Sequence, residues 1–144
     1  MATEKKARAT WEGDLMGGSG RVSTGSGVLS EEGVSWSARA EDAEGVSPEE
    51  LIAAAHATCL SMALSHGLAE EGHPPSRLET EATATFDKTG DGFRLTAIRL
   101  SVRGEVDGID EAAFREAAEG AKENCPVSQA LKGNVDISVD ASLS

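Results

Sequence analysis

The stretch SPEELIAAAHATCLSMALSHGLAEEG, residues 47–72, decides the fold. Ser47 suits a helix N-cap, and Pro48 fits the first helical position, where its missing N–H costs nothing. Glu50, three residues past the cap, can complete a capping box. The spacing predicts a helix running to about Glu71, stopped by Gly72 and Pro74. Its apolar residues, Leu51, Ile52, Leu60, Met62, Leu64 and Leu68 with the alanines between them, cover nearly the whole circumference. A helix that is apolar all round is buried all round. One small sheet covers a single face, so a second copy of the chain is the expected cover for the rest. His56, Thr58, Ser61, Ser65 and His66 interrupt the run, which argues against a membrane span.

Upstream, the chain reads as short strands over residues 10–16 and 21–24, joined by a glycine-rich turn at Gly17-Gly18-Ser19-Gly20. A third strand is expected over residues 35–40, ending in an acidic loop. Downstream, Leu78, Thr80, Ala82, Ala84 and Phe86 alternate with Glu79, Glu81, Thr83 and Thr85, and residues 88–92 form a turn. Phe93, Leu95 and Ala97 resume the alternation, then Ile98, Leu100 and Val102 continue one residue out of phase. That slip predicts a β-bulge near Ala97 and Ile98. A helix is expected over residues 110–122, a short helix over 126–131 and a closing strand over 134–141. No repeat, linker or low-complexity tract is found. The order predicts one α+β domain spanning residues 1–144, with largely antiparallel sheets around a long buried central helix.

The 144 residues carry 25 acids against 13 Lys and Arg, a formal net charge of −12. Phosphate binding needs a basic surface, so no nucleic-acid partner is expected. Anionic membranes are disfavoured for the same reason. No basic-then-apolar leader with a small-residue cleavage site is seen, and a cytoplasmic location is expected. There a static disulfide is unusual, and cysteines are either buried or reactive.

The chain has two cysteines, Cys59 in the central helix and Cys125 just before Pro126. Their spacing fits no zinc motif. It fits a pair in which one thiol attacks an oxidant and the other closes on it. The competing reading of Cys59 is an inert core thiol. Cys125 stands at the N-cap of the short helix, where backbone N–H groups and the helix dipole favour thiolate. His56, three residues before Cys59, would suit a Cys–His hydrolase dyad. No residue is obviously placed to orient it, and a hydrogen-bonded structural histidine is the plainer reading. A metal site from His56, Cys59 and His66 fails, because residues 56 and 66 lie about 15 Å apart along a helix. Arg39 reads by default as a solvated strand-end arginine, and Glu49 as a first-turn acid complementing the helix dipole. A rival of another class is a stress-induced dimer whose apolar cleft holds a hydrophobic ligand, its thiols inert.

Several segments, in order and spacing, carry a family resemblance. They are Trp11-Glu12-Gly13, Val22-Ser23-Thr24, Ser26-Gly27-Val28-Leu29, Pro48-Glu49-Glu50-Leu51, Ala54-Ala55-His56-Ala57 leading into Cys59, Gly108-Ile109-Asp110, and Cys125-Pro126-Val127-Ser128-Gln129. Nearly the whole chain resembles the osmotically inducible proteins of the OsmC type, within the OsmC and organic-hydroperoxide-resistance superfamily. The resemblance implies an OsmC-like fold, an intertwined homodimer and a thiol peroxidase for organic hydroperoxides and, less well, hydrogen peroxide. It implies Cys59 as the peroxidatic cysteine, Cys125 as the resolving one, Arg39 as the arginine near the reactive thiol and Glu49 as its carboxylate partner. It implies reduction of the resulting disulfide by a lipoyl-type or other small dithiol, and no metal, haem or flavin. The organic-hydroperoxide-resistance branch carries its arginine in the first hairpin turn. No basic residue stands there in this chain, which favours the OsmC branch.

If Glu49 and Arg39 serve a Cys59 thiol, helix geometry constrains how. Ten residues of intact helix separate Glu49 from Cys59 by about 15 Å. The expectation is a composite site, with the pair of one subunit serving the thiol of the other.

Overall fold

A computed structural model describes all 144 residues, which form two compact units, Met1–Leu51 and Ile52–Ser144. The first unit is a three-stranded antiparallel sheet in the order β1-β2-β3, followed by a short helix. Its strands are β1 (Ala7–Glu12), β2 (Ser19–Thr24) and β3 (Glu32–Val34). The hairpin turn lies earlier than the glycine run suggests. Asp14 sets it, its carboxylate accepting from the Gly17 N–H at 2.7 Å and its carbonyl from the Gly18 N–H at 2.9 Å. Trp11 Nε1 donates to the carbonyl of Gly13 at 3.1 Å. The relocated turn still holds no basic residue.

The strand expected over residues 35–40 is instead helix α1, Trp36–Ala40. Alternation over six residues also suits a helical turn and a half, and a cap decides the matter. The Ser35 hydroxyl accepts from the Ala38 N–H at 3.1 Å, a local bond that an extended backbone cannot make. Helix α2, Pro48–Glu70, begins in this unit. Its start is as expected, with Ser47 Oγ accepting from the Glu50 N–H at 3.1 Å. Its end is a Schellman motif: His73 N–H bonds the Leu68 carbonyl, Gly72 N–H bonds Ala69, and Gly72 takes φ +85°.

The second unit packs most of α2, with helices α3 (Glu111–Asn124) and α4 (Pro126–Leu131), on a sheet of order β4-β5-β6. Strand β4 is Arg77–Thr89, β5 is Gly92–Glu105 and β6 is Asp136–Leu143. The β4–β5 register slips where Thr85 pairs Ala97 but Phe86 pairs Leu95, so Thr96 is the bulged residue. The bulge lies one residue before the expected place. Beyond it Ile98, Leu100 and Val102 are fully buried against Leu60, Leu64 and Leu68 of α2 and Phe114, Ala118 and Ala121 of α3. Gly104 continues this face because Phe114 covers it: a Cβ there would stand 2.5 Å from Phe114 Cζ.

The sheets are largely antiparallel, as expected. Strand β6 pairs with β5 in parallel, because α3 and α4 form a crossover of the length that a parallel return requires. Within one chain, helix α2 is covered on one face and open on others. His56, Leu60, Leu64 and Leu68 are buried, whereas Ala54, Ala55, Thr58 and Met62 on other faces are exposed, Met62 by 69%.

Candidate active site

In the second unit, α2 carries Cys59 and His56, and the break between α3 and α4 carries Cys125. Cys125 occupies two positions at once, as C-cap of α3 and N-cap of α4. Pro126 at the first position of α4 forbids one continuous helix, which fixes the thiol at the junction. Both cysteines are free. Cys125 is fully buried, whereas Cys59 is partly exposed. Cys59 opens onto a shallow apolar groove lined by Ala54, Ala55, Thr58, Met62, Ala63 and Pro126.

The two thiols perturb each other in opposite directions. Burial pushes the Cys59 thiol up, and the hydrogen bond it donates to Cys125 pushes it further. Burial also raises Cys125, but four influences outweigh it: the Cys59 S–H, the Ser128 N–H, the Ser128 hydroxyl and the Val127 N–H. Cys125 therefore lies below the ordinary thiol range. Its sulfur makes no formal capping hydrogen bond, yet the dipoles at the start of α4 favour its charged form. The surroundings thus push the two thiols apart, Cys59 up and Cys125 down.

His56 is fully buried on α2. Its Nε2 lies 2.7 Å from Ser128 Oγ on α4, and its Nδ1 has no partner. Burial pushes the imidazole below its ordinary value, so it is neutral at neutral pH. Ser128, 72 residues away in sequence, is the orienting partner that sequence reading did not find. Only its place one helical turn after Cys125 hinted at it.

In the first unit, Arg39 and Glu49 form a bidentate pair. Arg39 Nε donates to Glu49 Oε1 at 3.1 Å, and Nη2 donates to Oε2 at 3.0 Å. Helix α1, absent from the sequence reading, brings the guanidinium to the first turn of α2. Glu49 is 8% exposed, so the carboxylate is held while the arginine keeps about a third of its side chain, 35%, accessible. A bidentate fork fixes the guanidinium plane as well as its position. A further groove in this unit, about 490 Å³, is lined by Trp11, Leu15, Val22, Val34 and Trp36, with Arg39 also on its wall. The structure thus brings together Cys59 with Cys125, and Arg39 with Glu49, each pair within its own unit.

The OsmC-like protein family model matches residues 41–140, which hold both cysteines and Glu49. The chain is 45% identical over 137 residues to the Escherichia coli protein named Peroxiredoxin OsmC, covering 95% of this chain and 96% of that one. It is 31% identical over 125 residues to the Bacillus subtilis organic hydroperoxide resistance protein OhrB, covering 86% and 90% respectively. The crystal structure of OhrB from Bacillus subtilis superposes with a TM-score of 0.75 at 27% identity, over 95% of this chain and 98% of that one. The chain belongs to the OsmC-like family, within the OsmC and organic hydroperoxide resistance superfamily.

Proposed function

We infer that this chain is a peroxidase that reduces hydroperoxides in oxidative stress, with Cys59 as the attacking thiol and Cys125 as the resolving one. The peroxidase assignment rests on the family and on its relatives, a peroxiredoxin and an organic hydroperoxide resistance protein. The observation that supports the residue roles is the geometry of the two thiols: one partly exposed on an apolar groove, the other buried, each perturbing the other. An alkyl hydroperoxide suits that groove, and the exposed sulfur is the one it can reach. The Cys59 thiolate attacks the peroxide oxygen, the O–O bond breaks, and the alkoxide leaves to be protonated to the alcohol. Cys125 then attacks the Cys59 sulfur, expelling hydroxide and forming the disulfide. A small dithiol, of lipoyl type or similar, returns both thiols.

The upward shift of Cys59 gives an arginine a task. Within one chain, burial disfavours the Cys59 thiolate that the first step needs. A guanidinium beside Cys59 would favour its thiolate and then the developing alkoxide. Glu49 lies ten residues before Cys59 on the same unbroken helix, about 15 Å along the axis. We therefore propose that Arg39 and Glu49 of one subunit serve Cys59 of a second, giving two composite sites per homodimer. The exposed apolar faces favour such a partner. Glu49 is the sole buried residue of the first unit, and Trp11, Leu15, Met16 and Val28 there are all at least 42% exposed.

Thiol counting tests the reaction. Reduced protein is mixed with an alkyl hydroperoxide. Both thiols of each chain should disappear with formation of an internal disulfide, and Cys59→Ser should leave Cys125 free. A Cys59 that remains a free thiol after peroxide treatment would exclude the mechanism.

A further inference from the structure

The buried pair His56 and Ser128 takes no part in the reaction as described. It is no hydrolytic dyad, because Ser128 is 4% exposed and His56 is fully buried, so no ester reaches either. His56 stands on the buried stripe of α2, one step before Leu60, Leu64 and Leu68. An apolar side chain would suit that place. A histidine there loses its hydration and keeps a buried Nδ1 with no partner, a defect that calls for a reason.

The reason lies in what the other nitrogen holds. Helix α4 has six residues, and Ser128 is its one buried residue. The other five are partly or fully exposed. The short helix therefore meets α2 through a polar contact, His56 Nε2 to Ser128 Oγ at 2.7 Å. A neutral imidazole has one N–H. On Nδ1 it would be a buried donor without a partner. On Nε2 it donates to Ser128 Oγ, and only an acceptor lone pair is orphaned, the commoner defect in proteins. A hydrogen bond has a preferred direction, which apolar packing lacks. This contact fixes both where α4 sits along α2 and how it is turned.

The cysteines occupy matching places. Cys59 follows His56 by three residues on α2, and Cys125 precedes Ser128 by three, so each thiol stands about one helical turn from the bond. Steps in opposite chain directions match when the two segments run antiparallel. A second contact agrees: Cys59 and Pro126, the residue next to Cys125, line one groove. Cys125 moves with α4, because its carbonyl accepts from the Gln129 N–H at 3.0 Å. Pro126 has no N–H to carry the α3 ladder into α4, so the junction alone does not hold α4 in place.

We propose that His56 and Ser128 are positioning residues for disulfide closure: their bond pins α4 to α2 in the register that sets Cys125 opposite Cys59. The proposal rests on the two-thiol reading above and adds what keeps the thiols in reach. In closure Cys125 gives up its thiol proton and its sulfur bonds the Cys59 sulfur. The S–O bond of the Cys59 sulfenic acid breaks, and the oxygen leaves as water. Cys125 sulfur is oxidised and Cys59 sulfur is reduced. A disulfide needs Cα atoms about 4.4–6.8 Å apart. A slip of α4 by one residue turns it by about 100°, enough to carry Cys125 out of line.

The test is the equilibrium of the Cys59–Cys125 disulfide with dithiothreitol in the full-length protein, with the rate of closure after alkyl hydroperoxide as a second readout. Ser128→Ala should weaken the disulfide about tenfold, which raises its reduction potential by about 30 mV. It should also slow closure about tenfold relative to Cys59 oxidation, the scale of one buried hydrogen bond. His56→Met should act alike, and the two substitutions together should do no more than either alone, because they delete one bond. His56→Gln, whose amide N–H can stand in for Nε2, should restore most of the loss. The deficit should persist at pH values that ionise Cys125, since a register does not titrate. An unchanged potential in Ser128→Ala overturns the proposal, as do additive effects of the two substitutions. A deficit that vanishes at high pH also overturns it, tracing the effect to thiol acidity. Ser128→Ala removes one oxygen atom, so it reads out whether or not the His56 variants fold. Hydroperoxide that leaves both thiols of the unsubstituted chain free would sink the two-thiol reading and the proposal with it. A normal disulfide there, with an unmoved potential in Ser128→Ala, sinks the proposal alone.

Discussion

At the scale of single residues, the two cysteines differ in exposure and in acidity, and the differences point opposite ways. Cys59 is the reachable sulfur but is pushed up by burial, whereas Cys125 is buried but is pushed down by the donors around it. A peroxidase needs the Cys59 thiolate for its first step. Arg39→Ala is therefore expected to lower the rate of Cys59 oxidation by about 10²-fold at neutral pH, the scale of losing one preorganised stabiliser of developing charge. The deficit should shrink as pH rises and Cys59 ionises unaided. Stopped-flow oxidation across pH checks both statements, and a rate unaffected by Arg39→Ala would remove the arginine from the site. The special setting of Cys125 was legible from Pro126 alone. The His56–Ser128 bond was not, because nothing local in residue 56 announces a partner 72 positions away.

At the scale of elements, what could be read depended on whether a local rule or a tertiary contact decided the structure. The start of α2 follows from Ser47 and Pro48, its end from Gly72, and α4 from Pro126. Helix α1 escaped because six residues satisfy two periodicities and one serine cap settles between them. The direction of β6 was not readable from its own alternation, since the α3–α4 crossover sets it. Two predictions belong here. Gly104→Ala puts a methyl group into Phe114 and should cost about 1–3 kcal/mol by overpacking. Chemical denaturation should show it, with partial recovery on adding Phe114→Leu. His56, buried neutral and shifted below its unfolded value of about 6.5, binds its proton less well in the folded chain than in the unfolded one. Its contribution to stability is thus complete above that value and declines as pH falls toward the folded one. His56→Gln should flatten stability against pH in that window, as measured by denaturant midpoints.

At the scale of the molecule, the two units differ in how well they stand alone. The second has a continuous core from α2, α3 and its sheet. The first has a three-stranded sheet, exposed tryptophan and leucine, and no buried apolar residue. A unit of this size cannot stabilise itself without burying such surface. The proposed second copy of the chain would cover this surface and the exposed Ala54, Ala55, Thr58 and Met62 of α2. The family and the peroxidase chemistry follow from motifs that the sequence already displays. The proposed composite site rests on helix length and on a bidentate Arg39–Glu49 pair that only the structure reveals.

Subunit mixing tests this composite site most directly. Cys59→Ser protein lacks the attacking thiol, and Arg39→Ala protein lacks the guanidinium. Each alone should reduce alkyl hydroperoxide poorly or not at all. Denatured together and refolded, they should regain activity, because a mixed dimer unites the intact Cys59 of one chain with the intact Arg39 of the other. If thiol and arginine serve each other within a single chain, no mixed dimer holds a complete site. Activity no greater than that of the separately refolded variants would then contradict the account.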